Sequence, residues 1–178
     1  MRNIRTDLAL EAREVLQEQN QYHIPGVKVD EDEKDGVKIS RVHILSPLGE
    51  ENLGKPQGNY ITLEAMDIRN RDPEYQETVS KLLAQELGTL MNLNKNSVIL
   101  VVGLGNWNIT PDSLGPKVVD RILVTRHIFE YIPDQVDERI RSVCAVAPGV
   151  LGITGIETGE IIMGIVQRIK PDYVIAID

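Results

Sequence analysis

The stretch Ser97–Asp120, SVILVVGLGNWNITPDSLGPKVVD, decides the fold. Val98 to Val102 is an unbroken aliphatic run that ends in glycine. That is the pattern of a short strand buried on both faces, as in a parallel sheet. Gly103 and Gly105 turn the chain, Asn106 to Thr110 is mostly polar, and Pro116 opens a predicted helix. Val118, Val119, Ile122 and Leu123 form its expected inner side. Asp112 falls in the loop between strand and helix. In open parallel sheets such loops, at the carboxyl ends of strands, build the ligand crevice.

The glycines do not make a dinucleotide site. That fingerprint needs a third glycine where this chain has Asn108, and no acidic ribose ligand follows at the usual distance. Further along, Ser142 to Ala147 and Tyr173 to Ile177 read as second and third buried strands. Between them lie a glycine-rich loop, Pro148 to Gly159, and a helix starting at Thr158 or Gly159. Its inner face is Ile162, Ile165, Val166 and Ile169, and Pro171 stops it. Strand, helix, strand, helix, strand predicts a right-handed parallel unit. All three strands then deliver their carboxyl ends to one edge, carrying the Asp112 loop, the glycine-rich loop and Asp178.

The amino-terminal half reads differently. Arg5 to Gln19 is a predicted amphipathic helix. Val27 to Val29 and Val37 to Ile44 are expected strands, with the acidic run Asp30 to Gly36 as a solvated hairpin loop. That run lacks the spacing and terminal Glu of a calcium loop. Ser46 to Gly58 reads as loop, Tyr60 to Ala65 as strand, and Asp72-Pro73 as the start of a helix reaching Met91. Thr125 to Glu130 and Val136 to Arg141 fit either state. The expected fold class is α/β: a mostly parallel sheet with helices on both faces, plus an antiparallel hairpin region near the amino terminus. One α/β domain over 1–178 is expected. Its last strand should be central and followed by a helix, so a chain truncated at the carboxyl end is expected.

The 178 residues carry a formal net charge of -8, which disfavours a general nucleic-acid binder. Cys144 is the single cysteine, so neither a disulfide framework nor a cysteine metal site is expected. No apolar run is long enough for a membrane span and no signal peptide is visible, so a cytoplasmic protein is expected. His127 reads as a packing or capping residue in preference to a third catalytic group, and His23 and His43 show no partner spacing.

In order, the segments IRTDLALEA, GVKISRVHIL, YITLEAMDIR, VVGLGN, TPDSLGPKVVD, TRH, APGVLGITGIET and PDYVIAID resemble the germination protease of spore-forming bacteria. The likeness runs from Arg5 to Asp178 and covers the amino-terminal half of that family. It implies an endopeptidase made as a zymogen, assembled as a homotetramer, and acting in the spore core on small acid-soluble spore proteins. It implies an atypical aspartic mechanism carried by Asp112 and Asp178. Carboxyls close enough to interact share a proton; the ionised one activates water and the protonated one donates to the carbonyl or leaving amine. Gly103, Gly105, Asn106, Gly149 and Gly152 form the expected substrate and oxyanion loops. Self-processing between Asp7 and Leu8 is expected from the family's cleavage context, releasing Met1 to Asp7 as a propeptide. No cofactor, metal, membrane or direct nucleic-acid partner is implied.

Three other readings compete. Gly103-x-Gly105-Asn106, followed by an acid and Gly115, is also similar to the nickel-binding hydrogenase-maturation peptidases, whose fold, with that of the phosphorylases, is the expected comparison. Their doubled acid is missing, because Ser113 follows Asp112. An inactive oligomerisation fragment is the second. A phosphate or nucleoside binder is the third, and it lacks the lysine clamp.

Overall fold

The computed structural model describes residues 24–70, 72–137 and 139–178. The predicted helix Arg5 to Gln19, the Asp7–Leu8 bond and His23 lie outside them. The chain forms two compact units that divide between Asn92 and Leu93.

The first unit is built on an antiparallel sheet in the order β1–β2–β3: Val27–Lys34, Val37–Ile44 and Gly58–Glu64. The acidic run is not a loop. Asp30 to Lys34 pair with Val37 to Arg41, and only Asp35 and Gly36 turn the chain. Both have positive φ, 53° and 77°, as a two-residue type I′ hairpin requires. The carboxylates are tolerated because β1 is an edge strand with its charges in water. β2 is central, and its alternate residues enter two cores. Val37 and Ile39 pack with Leu82, while Val42 and Ile44 pack with Ile24 and Leu53. Full burial of such a side chain is worth about 1.5–3 kcal/mol.

Leu53 belongs to a helix that the sequence reading missed, α1, Pro47–Leu53. Its signals are local. Ser46 caps it by accepting from the Gly49 amide, Pro47 starts it, and left-handed Gly54 ends it. Leu82 belongs to α2, Pro73–Leu90, capped by Asp72.

Arg41 of β2 and Glu86 of α2 form a two-point ion pair, Arg41 Nε donating to Glu86 Oε2 at 2.8 Å and Nη2 to Oε1. Glu86 is 7% exposed. The guanidinium hydrogen bonds hold its carboxyl below the usual 4.5, against the opposing effect of burial. A lowered folded-state pKa adds stability that is present above the unfolded value and lost as pH falls through the folded one. Glu86→Gln should therefore cost about 2 kcal/mol at neutral pH, the range for hydrogen bonds to charged groups. Urea unfolding should show the difference intact above pH 4.5 and shrinking below it. A difference that ignores acid would mean the pair contributes by packing alone.

The second unit is the parallel one. β4, Val98–Gly103, lies between β5, Ser142–Val146, and β6, Tyr173–Ile177. Both pairings are parallel: Val101 faces Ala145 on one side and Ile175 on the other. β4 is central and its residues 99–103 are buried, whereas β6 is an edge strand with alternating exposure. At the amino edge, Asp172 accepts from the Val98 amide at 2.8 Å and returns its own N–H to the Val98 carbonyl at 2.9 Å.

The helices of this unit are α3, Leu114–Arg121; α4, Arg126–Tyr131; the short α5, Leu151–Thr154; and α6, Thr158–Ile169. α3 begins two residues before Pro116. Proline is accepted in a first turn, where amides have no helical partner. It ends at Arg121, so Leu123 is 73% exposed rather than inward. α5 interrupts the expected glycine loop. The architecture is thus α/β, with a three-stranded antiparallel sheet and a parallel sheet with helices. Among the described residues no helix is long and apolar enough to cross a membrane.

Candidate active site

The carboxyl edge of the parallel sheet is assembled by glycines. Gly115, in the first turn of α3, packs directly on backbone: a Cβ there would overlap the carbonyl of Ile177 and both the N and O of Leu104. Gly103 does the same from the strand side, where a Cβ would overlap the Gly115 carbonyl and come within 2.8 Å of Val119 Cγ2. The Leu104 amide then donates to the Ile177 carbonyl at 2.8 Å. The start of α3, the end of β4 and the end of β6 are thereby locked together at backbone level. Asp112 lies three residues before Gly115, and Asp178 directly follows Ile177. Asp112 is half-buried and Asp178 is exposed.

The Asp112 loop is rigidly knotted. The Asn106 amide donates to the Asp112 carbonyl at 2.8 Å, the Asp112 amide to Ile109 at 2.9 Å, and the Ile109 amide back to Asn106 at 3.1 Å. The Asn106 side chain accepts from the Asn108 amide at 3.0 Å, a local Asx turn. Gly105, at φ +106°, runs beside the aspartate: a Cβ would sit 2.9 Å from Asp112 Oδ1. The amides of Leu104 and Asn106 are spent on this scaffold, so they hold the loop and are not free oxyanion donors. Gly149, at φ +79°, has its carbonyl held by Thr158 Oγ1 at 3.2 Å. Gly152 faces open space in α5.

Ser113 entered the sequence argument only as the residue that is not a second acid. It is 1% exposed, and its hydroxyl donates to the Thr110 carbonyl at 2.9 Å, closing the 3-10 turn that presents Asp112. A second acid at 113 would be an unpaired buried charge. The doubled acid of the nickel-binding rival therefore does not fit this loop. The signal was the short hydroxyl side chain itself, at the residue before a helix, where Ser bonds local backbone. The loop also exposes Trp107 (50%) and Ile109 (49%). Cys144 is set apart from this chemistry: it is half-buried, bonds the Ile99 carbonyl, and burial pushes its thiol up.

Fold and loops together define an α/β protein with an acidic rim at the carboxyl edge of a parallel unit, where such sheets bind and transform their ligands. The chain belongs to the germination protease family, whose model, described as germination protease, matches residues 5–178. It is 57% identical over 175 residues to the germination protease of Caldanaerobacter subterraneus, covering 98% of this chain and 53% of that protein. It is 52% identical over 176 residues to that of Clostridium tetani, covering 99% and 54%. With the protein of that name from Clostridium acetobutylicum it shares 53% over 181 residues, covering 100% and 55%. The chain thus spans about half the length of the curated relatives it matches.

Proposed function

We propose that this chain carries the catalytic rim of an endopeptidase that degrades small acid-soluble spore proteins in the germinating spore core, with Asp112 and Asp178 as the pair that activates water. The observation that supports it most is the backbone lock of Gly115 on Ile177, because it ties the Asp112 turn to the residue preceding Asp178. One carboxylate removes a proton from water as water attacks the peptide carbonyl. The other, protonated, donates to the oxygen or the departing amine. The proton belongs to the pair, so neither aspartate has a fixed role before substrate arrives.

The same proposal includes a zymogen processed between Asp7 and Leu8, a homotetramer, and kinship of the parallel unit with hydrogenase-maturation peptidases and phosphorylase-like sheets. Incubating the chain with a spore-protein peptide and reading the products by mass spectrometry tests it. Cleavage after an acidic residue, together with loss of Met1–Asp7 from the chain, is the expected result. An uncut peptide, with both the 178-residue chain and the same chain extended to the length of its relatives, would remove the reading.

A further inference from the structure

α3 carries a stripe that the reaction above does not use. Leu114, Lys117, Val118, Arg121 and Ile122 follow helical spacing and line one shallow groove of about 370 Å³. The groove starts at the rim, since Leu114 is two residues after Asp112 and 59% exposed. Lys117 and Arg121 are exposed, and among the described residues neither has a hydrogen-bonding or ion-pairing partner. In this unit Arg126 is tied to Glu130 at 2.6 Å and Arg139 to Asp137 at 2.6 Å, whereas Arg168 and Lys170, at the carboxyl end of α6, are exposed and without a partner among the described residues. What distinguishes the α3 stripe is its place, beginning two residues from Asp112 at the rim. Here two cations without a partner among the described residues line a groove with Leu114, Val118 and Ile122, in a protein of net charge -8.

We infer that this stripe is a docking strip for an acidic, extended segment of the peptide substrate, placed beside the scissile bond; the inference rests on the peptidase reading. Charge complementarity selects the acid. Helical rise separates Lys117 from Arg121 by about 6 Å along the axis. Same-side residues of an extended chain repeat at about 6.6–6.8 Å. A peptide with carboxylates two residues apart therefore meets both cations, and Leu114, Val118 and Ile122 receive the aliphatic stems of those same acidic side chains. Lys and Arg lie readily over such ground, with stems on apolar surface and heads available to a carboxylate.

The test is binding, measured in Asp112→Asn protein so that the probe stays intact. A short fluorescein-labelled peptide containing Glu-Ile-Glu is the probe, and its Gln-Ile-Gln analogue is the comparison. The acidic probe should bind more tightly than the analogue, and added salt should erase the difference. Lys117→Gln with Arg121→Gln should weaken the acidic probe about tenfold, and Lys117→Glu with Arg121→Glu more than that. Lys117→Arg should retain binding, and Arg168→Gln, on α6, should change nothing.

Equal binding of acidic probe by the double variants, or no binding of it at all, overturns the proposal. So does a double variant whose only change is its oligomeric state in sedimentation, which would make the stripe an interface between copies. The two readings fail separately. Stripe-dependent binding of a peptide that intact Asp112 protein never cuts would end the peptidase reading and leave the docking strip. Cleavage whose KM ignores Lys117 and Arg121 would do the reverse.

Discussion

Gly115→Val should leave the parallel unit without its rim, and even Gly115→Ala should lower stability by about 3 kcal/mol, the upper range for overpacking. The reason is the identity of the neighbours. A methyl at 115 meets the carbonyl of Ile177 and the backbone of Leu104, not flexible side-chain ends. Backbone cannot rotate aside, so α3 must lift from β4 and β6. That movement breaks the Leu104–Ile177 hydrogen bond and separates the two aspartate-bearing segments. At about 2–4 °C per kcal/mol for a chain of this size, the alanine variant should melt about 6–12 °C lower. Trp107, the single tryptophan, lies in this unit and reports its unfolding by fluorescence. Gly164→Ala is the control: its Cβ enters open space in α6, and alanine is the better helix former by about 1 kcal/mol. Equal stability of Gly115→Ala and the parent would show that the close approach is not a constraint.

Asp112→Asn and Asp178→Asn should each reduce kcat/KM for peptide cleavage about a thousandfold or more, about 4 kcal/mol of transition-state stabilisation. The double variant should be little worse than either single one. Groups that act as a unit are lost together, because the second has nothing left to share once the first is neutralised. Asparagine keeps the shape and removes the acid, so circular dichroism should be unchanged. Multiplying losses would point to two independent roles. A single variant retaining near-parent activity would strike that aspartate from the machinery.

Much of this site was legible in the chain. Val98–Val102, Ser142–Ala147 and Tyr173–Ile177 gave the parallel strands because strands buried on both faces leave unbroken aliphatic runs. From their order alone, Asp112, the glycine loop and Asp178 fall at one edge. What escaped was set by partners distant in sequence. The Asp30–Lys34 acids became strand because β2 offers a pairing edge, which no window around them reveals. Gly103 read as a turn glycine and Gly115 only as part of a motif string before the helix, yet both are glycine because backbones touch there. α1 was a different failure. Its Ser-Pro start and Gly stop were present, but so many glycines and prolines nearby favoured a loop.

The wiring of β4 carries a consequence for how the protein is born. Val101 finds its neighbours only at Ala145 and Ile175. By contrast, β1, β2 and β3 close on one another with short connections. As the chain leaves the ribosome, the antiparallel sheet can zip up early, while VILVV waits bare for partners still being translated. Non-local pairing of this kind is slow, and exposed apolar strands invite clumping meanwhile. Production at low temperature, or with a holding chaperone, should therefore rescue yield chiefly through the carboxyl-terminal unit.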